Sequence, residues 1–427
     1  MRKRIQTGFS MFLISVLLSG CTAPGYTEAS DDTEEPKTKT LSFEEQLAAD
    51  SGEVDLVVWG AEEDQEMLQQ IVAEFQEAYK GQAEFHITCE IQSESACKDA
   101  LMEGLEEGAD LFAFADDQLS TLVAAGALEP IENQEQIRAD NLEGAVEAAS
   151  INDTLYAWPL TADNGYFLYY NSRYISKEDA TSLDRILEIA AAQNKKFAMD
   201  WSSGWYVYSF FGNTGMEVGL NEDGITNYCT WNQKGTAVSG TDVAQAMLDI
   251  ASSPGFLNTD DTGFLEGVKD GSVIAGVSGV WNAVAVEEAW GNGYAAGKLP
   301  LYSCAGGQIQ MASFSGYKMI GVNAYSDHHA WASLLAQWIT SEANQQLRFQ
   351  LRGQGPSNRI ASQSAAVQDS PAIAALLAQS EYACLQRIGG NYWDPVTSFA
   401  TTMASGNPGG KNLQELLDEM AEGITAP

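Results

Sequence analysis

Positive charge is scarce in this sequence. Its 427 residues include 22 lysines and arginines against 59 aspartates and glutamates, which gives a formal net charge of −37. A chain this acidic repels phosphate backbones and anionic lipid surfaces, so we expect no nucleic acid partner. A neutral ligand suits it better.

Several common functional motifs are also missing. The sequence contains 3 histidines and no Cys-x-x-C, so a zinc site of the usual spacing is excluded. Neither Gly-x-Gly-x-x-Gly nor the phosphate-loop pattern occurs, and without Gly-x-Ser-x-Gly a hydrolytic triad is poorly supported. We therefore expect no metal and no cofactor.

Cysteine is present in an odd number once Cys21, which is discussed next, is set aside. One thiol at least must then stay unpaired or pair outside the chain. Cys89 with Cys97 would close the shortest disulfide loop, and unpaired buried thiols are an equally good interpretation. The cysteines concerned are Cys89, Cys97, Cys229, Cys304 and Cys384.

The amino terminus carries the pattern of a secretory signal, with Arg2-Lys3-Arg4 before an apolar run from Met11 to Leu18. That run is too short to span a bilayer of about 30 Å. Leu18-Ser19-Gly20-Cys21 resembles the bacterial lipobox, which implies a signal peptide at 1–20 and a lipid on Cys21. The alternative is an ordinary signal peptide with a cysteine nearby.

Residues 21–51 are rich in Thr, Ser, Asp, Glu and Pro and have few aromatic residues. Such a segment cannot bury enough apolar surface to fold, so we predict a disordered linker. The protein would then lie outside the cytoplasm, at a Gram-positive cell surface or in a periplasm. It would contact the membrane through its lipid anchor only.

The remaining chain is longer than one hydrophobic core usually organises, which favours two lobes. Buried-strand patterns at 53–59, 85–91 and 110–115 alternate with helical patterns such as 68–79. This alternation predicts a parallel α/β sheet covered on both faces. A later apolar periodicity predicts one long helix from near Ser326 through Leu347.

Five short sequence segments occur in the same order as in a known protein family. They are Trp59-Gly60-Ala61-Glu62-Glu63, Asp110 to Gln118, Tyr156-Ala157-Trp158-Pro159, Ser278-Gly279-Val280-Trp281 and Gly316 to Val322. From Val54 onward the chain resembles the extracellular solute-binding proteins of ABC transporters, of the maltose/maltodextrin-binding kind. The resemblance implies a two-lobed periplasmic-binding-protein-like fold of type II, with a mixed, mainly parallel sheet in each lobe.

The same resemblance implies where the lobes begin and end. Hinge crossings are expected near Leu160, Leu301 and Gly355-Pro356. The N-terminal lobe would be 52–161 and 305–355. The C-terminal lobe would be 162–304 and 356–427, and the lobes would close on a ligand.

A sugar has apolar C–H faces and a rim of hydroxyls, so a sugar site needs aromatic rings and planar polar groups. For any single ring, an ordinary place in the core is the competing interpretation. For the acids, it is solvated surface. Candidate ring contacts are Trp59, Phe114, Trp205, Tyr206, Trp281 and Trp393, and candidate hydroxyl partners are Glu62, Glu63, Asp117, Gln118 and Asp163.

The function that the resemblance implies is capture of an oligosaccharide, of maltodextrin or α-glucan type, by a monomer that delivers it to an ABC permease. Gln118 and Ser203 depart from the pattern of the maltose binders and put simple maltose recognition in doubt. Two alternatives stay open. One is a secreted glycoside hydrolase, which needs two facing carboxylates; the other is a sugar-binding sensor or surface lipoprotein without a transport role.

Overall fold

A computed structural model describes residues 41–132, 134–221, 223–235 and 237–427, and residues 43–427 form one unit. The predicted signal peptide, the lipid site at Cys21 and most of the predicted linker lie outside the described residues. Within the described part, no helix is both long and apolar enough to cross a membrane.

Helices and strands alternate along most of the described chain. The strands are β1 Glu53–Gly60, β2 Glu84–Ile91, β3 Leu111–Ala115, β4 Ser150–Ile151, β5 Thr154–Leu155, β6 Trp158–Thr161, β7 Tyr166–Asn171, β8 Lys196–Met199, β9 Val218–Leu220, β10 Asn227–Cys229, β11 Phe256–Asn258, β12 Val273–Gly279, β13 Tyr294–Gly297, β14 Leu301–Cys304, β15 Gly307–Gln310, β16 Ser313–Ser315, β17 Lys318–Val322 and β18 Ala383–Leu385. The helices are α1 Phe43–Ala49, α2 Gln65–Ala78, α3 Cys97–Met102, α4 Leu119–Ala124, α5 Gln134–Asp140, α6 Glu143–Ala148, α7 Leu183–Ala192, α8 Gly204–Phe211, α9 Gly240–Ala251, α10 Asp261–Asp270, α11 Ala283–Trp290, α12 His329–Ile339, α13 Glu342–Arg352, α14 Arg359–Ser362, α15 Ala365–Gln368, α16 Pro371–Gln379, α17 Trp393–Ala404 and α18 Leu413–Ile424.

The first sheet has the strand order β2-β1-β3-β17-β6. β1 is parallel to both β2 and β3, whereas β17 is antiparallel to its neighbours β3 and β6. Val54, Leu56 and Val58 alternate along β1 and are buried on one face. Ile71 and Phe75 from α2 pack in the same core, because their helical spacing puts them on one side of that helix.

The second sheet has the order β11-β8-β12-β7-β13, again with one antiparallel strand, β7, between β12 and β13. Its core contains large rings such as Trp201, Trp231 and Tyr302, all of them fully buried. A mixed, mainly parallel sheet in each of two lobes confirms the predicted fold class. The purely parallel arrangement expected from the local pattern was wrong, because an antiparallel neighbour far along the chain leaves no local signal.

The chain passes between the sheets at several points. At one of them Ala162 N donates to Gly355 O at 2.9 Å. Another crossing lies at Gly316, between β16 and β17. It does not lie near Leu301, because Leu301 is in a hairpin beside the second core. Phe314, just before Gly316, still belongs to that core. A Cβ on Gly316 would come within 2.5 Å of Asp116 Oδ1, so this passage needs glycine. We propose the lobe boundary there, and not at residue 305.

Two predicted segments differ from the structure. The linker predicted to run to Ser51 contains α1, which is anchored because Leu47 packs on the first core and Trp331 Nε1 donates to Asp50 O at 2.6 Å. The single helix predicted through Leu347 is two helices, α12 and α13. The break falls at Ser341, whose hydroxyl caps α13 by accepting from Asn344 N.

The five described cysteines are all free thiols, so the Cys89–Cys97 disulfide is not formed. Burial raises the pKa of Cys89 to about 11, which keeps that thiol protonated at neutral pH. The alternative of unpaired thiols is the one that the structure shows.

Candidate ligand-binding site

A cavity of about 1090 Å³ opens between the two sheets. Ala61 and Ala115 reach it from the carboxyl ends of β1 and β3, and Asp200 and Trp281 from beyond the ends of β8 and β12. In open α/β sheets, ligands bind in the crevice at the carboxyl ends of the strands. The cavity is therefore the candidate site of this fold.

The wall on the side of the first sheet is polar. Glu62 and Glu63 occupy a 3₁₀ turn directly after β1, and both are exposed. Asp117 and Gln118 occupy the corresponding turn after β3. Gln118 accepts from Lys98 N at 2.9 Å and donates to a backbone carbonyl at 2.6 Å, so its amide holds the neighbouring loop in place.

Asp117 has an uncompensated atom on this wall. Its Oδ1 is buried and has no hydrogen-bond partner in the described part of the chain. Burial raises the pKa of this carboxyl to about 6. Gln386, which follows β18 and is 6 % exposed, likewise has an Oε1 without a partner among the described residues.

The wall on the side of the second sheet is aromatic. Trp205 and Tyr206 begin α8, and their ring centroids lie 5.2 Å apart. The Trp205 ring lies 5.7 Å from that of Trp281, which is in the turn after β12. Trp281 is held by a hydrogen bond from its Nε1 to Asp261 Oδ2 at 2.9 Å. The Trp205 Nε1 has no partner among the described residues.

A fourth ring comes from the last third of the chain. Trp393 is the first residue of α17, is half-buried and lines the cavity. Its ring packs edge-on against Tyr392 with 5.0 Å between centroids. Trp205, Tyr206, Trp281 and Trp393 line the same cavity, and we call these four rings the ring wall. All four were predicted from the sequence.

Cations are present in the floor of the cavity although none was predicted. Lys318, the first residue of β17, lies 3.2 Å from Glu94. Burial alone would lower the pKa of Lys318, but the carboxylates around it, Glu94 first, raise it above its usual value. Arg352 lines the cavity nearby and forms a 3.0 Å ion pair with Asp64.

Three predicted site residues do not line the cavity. Phe114 is fully buried in the first core, where its ring centroid lies 5.7 Å from that of Phe112. Trp59 packs on that core from the carboxyl end of β1 and donates to Glu90 Oε2 at 3.1 Å. Asp163 is 3 % exposed and accepts from Gly355 N, so it holds a crossing between the lobes.

Other lining residues were missed. Asp200 directly follows β8, so a search for acids just after buried strands could have found it. Asp261 begins α10 and has no such signal, but its carboxylate organises the site, since it accepts from Ser278 Oγ at 2.7 Å as well as from Trp281. No sequence pattern marked Gln386.

Two α/β lobes with an aromatic cavity between them define a protein of the two-lobed ligand-binding class. The chain belongs to the bacterial extracellular solute-binding proteins, whose family model matches residues 70–375. This confirms the predicted family. Since that family consists of extracellular binding proteins, the chain is a binding protein rather than an enzyme, and it acts outside the cytoplasm.

Individual relatives agree with this family. The galactooligosaccharide-binding protein of Bacillus subtilis is 25 % identical over 387 residues, which are 86 % of this chain and 89 % of that protein. A solved structure with acarbose is 27 % identical, has a TM-score of 0.78, and covers 88 % of this chain and 99 % of its own. The maltodextrin-binding protein of L. casei, solved without ligand, is 20 % identical with a TM-score of 0.71, covering 87 % of this chain and 99 % of its own.

Proposed function

We propose that this protein captures an oligosaccharide, of the maltodextrin or α-glucan type, in the cavity between its lobes and delivers it to the permease of an ABC importer. The observation that carries the proposal is the ring wall, which faces a polar wall across the cavity. A sugar presents the two complementary surfaces, apolar ring faces and a hydroxyl rim.

The energies are sufficient for such a ligand. Stacking on an aromatic ring is worth about 1 kcal/mol beyond the apolar area buried. The rings of the ring wall, together with hydroxyl bonds, can therefore supply the roughly 8 kcal/mol that micromolar affinity requires after the costs of association. Glu62, Glu63 and Asp117 would accept bonds from the hydroxyls, while Gln118 would shape the loop behind them.

Unsatisfied polar atoms point in the same direction. An unpartnered buried donor or acceptor costs on the order of 1–3 kcal/mol. Trp205 Nε1 is such a donor, and Asp117 Oδ1 and Gln386 Oε1 are such acceptors within the described chain. A hydroxyl can both donate and accept, so one sugar could satisfy atoms of either kind.

The relatives support an oligosaccharide but suggest two linkage types. The structure with acarbose, at 27 % identity, favours an α-glucan fragment. The galactooligosaccharide-binding relative, at 25 % identity, favours a galactoside as the second candidate. Calorimetry of the soluble protein with maltotriose, maltotetraose, galactosyllactose and xylotriose separates them. Binding of a peptide or a polyol and of no oligosaccharide would refute the proposal.

Anchoring and transport belong to the same proposal. A lipid on Cys21 would hold the binding domain close to a membrane permease, and the protein would work there as a monomer. Uptake of labelled oligosaccharide by cells with and without this gene tests delivery. Unchanged uptake in its absence would support a binding or sensing role without import.

A further inference from the structure

We propose that the cavity selects oligosaccharides by charge: a sugar that carries a protonated amino group binds more tightly than its neutral form, and a sugar that carries a carboxylate is rejected. This inference rests on the proposed function and narrows its ligand class.

The cations of the cavity are already neutralised by the protein. Lys98, Lys318 and Arg352 line it, and each is within ion-pair distance of a carboxylate. The pairs are Lys98–Asp99 at 3.1 Å, Lys318–Glu94 at 3.2 Å and Arg352–Asp64 at 3.0 Å. An anionic ligand would therefore have to share a cation with a carboxylate that already neutralises it.

The remaining acids of the cavity are not in contact with a cation of the described chain, although the charge of Lys98 acts on one of them, Asp117. None of them forms an ion pair with another residue in the described ranges, so the cavity keeps an excess of negative charge. They are Glu62, Glu63, Asp117, Asp200, Asp261 and Asp394.

Two of these acids, Asp200 and Asp261, line the cavity on the side of the ring wall. Burial raises the pKa of Asp200 and of Asp261, and the charge of Asp200 contributes to the shift at Asp261. Both carboxylates are therefore costly to ionise in the empty cavity. A positive group on the ligand would relieve this cost, whereas a hydroxyl would relieve only part of it.

An independent observation concerns hydrogen-bond acceptors. Gln386 is 6 % exposed, lines the cavity, and its Oε1 lacks a donor among the described residues, as does Asp117 Oδ1. The amide oxygen of Gln386 belongs to an uncharged group, so it adds nothing to the excess negative charge, but it still needs a hydrogen-bond donor. An ammonium group offers three N–H donors and no acceptor, so it suits a wall rich in acceptors. Trp205 Nε1 remains available for a sugar oxygen.

The test uses one sugar backbone in three charge states. Maltotriose and galactosyllactose are each reduced to the alditol, oxidised to the aldonic acid, and reductively aminated to the amino alditol. The three products share an open-chain terminal unit and differ in the charge of one group. We expect the amino form to bind about tenfold more tightly than the alditol and the acid about tenfold more weakly, the size of one charge–charge contact in a partly screened site.

Variants locate the effect. Asp200→Asn and Asp117→Asn should each reduce the preference for the amino form, with a smaller effect on the alditol. Asp249→Asn is the matched control, because Asp249 is exposed on α9 in the same lobe as Asp200 and does not line the cavity. It should keep the full preference.

The outcomes separate the two proposals. If the unmodified trisaccharide binds and the three derivatives show any order other than amino form, alditol, acid, selection by charge is overturned while the proposed function stands. A preference that survives in both cavity variants overturns it as well. If no unmodified oligosaccharide of the calorimetry panel binds to the folded protein, the proposed function fails and the inference fails with it. If only a panel member other than these two trisaccharides binds, its three derivatives are compared in the same way.

Discussion

The ammonium nitrogen of Lys318 lies 5.6 Å from the centroid of the Trp281 ring, over its face. Lys318 begins a strand of the first sheet, and Trp281 follows a strand of the second. A cation–π contact therefore joins the two lobes across the floor of the cavity. The same ammonium group is paired with Glu94, so one side chain connects the charge of one lobe with the ring wall of the other.

Lys318→Met should destabilise the protein by about 2–4 kcal/mol, because it leaves the carboxylate of Glu94 buried without its cation. The side chains of this pair are each 13 % exposed. Urea unfolding measures the change. Lys80→Met is the matched control, since Lys80 pairs with Glu77 on the surface and should cost at most about 0.5 kcal/mol. Equal costs for the two variants would contradict the structural role of the buried pair.

Trp393→Ala should weaken oligosaccharide binding about tenfold, which corresponds to the loss of one stacking contact of about 1.4 kcal/mol. Trp59→Ala is the matched control, because it also replaces a tryptophan by alanine. Its ring does not line the cavity, and the affinity of that variant should not change. Titration calorimetry on both folded variants checks the pair of expectations. Weaker binding by Trp59→Ala together with unchanged binding by Trp393→Ala would show that Trp59, and not Trp393, contacts the ligand.

Asp116 should make stability depend on pH. Burial raises the pKa of its carboxyl from 3.8 to about 7. The folded state then holds a proton that the unfolded state has lost, so the free energy of unfolding falls as pH rises from about 4 to about 7. Asp116→Asn keeps the side chain neutral, and its oxygen can still accept from Tyr317 N, a bond of 3.1 Å in the structure.

We therefore expect Asp116→Asn to stabilise the protein at pH 8, by on the order of 1–3 kcal/mol, and to have little effect at pH 4. Thermal unfolding at the two pH values measures the difference. The exposed Asp249→Asn variant controls for the general effect of removing one negative charge. A gain that is the same at both pH values would show that Asp116 titrates normally.

Cys21→Ser should release the protein from the membrane fraction without changing its affinity for the ligand. Uptake of the oligosaccharide should fall, because the released protein is diluted away from its permease. Cell fractionation, calorimetry and labelled-sugar uptake measure the three effects. A Cys89→Ser variant, which leaves the candidate lipid site intact, should remain with the membrane. Retention of both variants would exclude the lipid anchor.

Elements with a strong local pattern were predictable from the sequence. β1 begins at Glu53 as predicted, and α2 includes the helical stripe from Leu68 to Phe75. What local pattern could not supply was the placement of β17, because its pairing with β3 joins residues about two hundred positions apart. The split of the predicted long helix at Ser341 was missed because both halves continue the apolar stripe.

The site was predictable to the extent that it follows the strand ends. Asp117 lies two residues after the end of β3 and was predicted from its place in the family-like block Asp110 to Gln118, but Phe114, three residues earlier, lies in the core. In a strand, a shift by one residue exchanges the two faces, so a ring near a strand end has no certain direction. Lys318 was missed because its partner Glu94 is 224 residues away in the sequence and only the folded chain brings them together.

The position of β17 has a consequence for how the protein matures. A ribosome makes every strand of the second sheet before it makes β17, which fills the gap between β3 and β6 in the first. The first sheet therefore cannot close until β17 has been made, and its pairing must wait for a contact of high sequence separation, which folds slowly. A nascent chain of this kind stays open for longer than one whose sheets pair only strands that are close in the sequence.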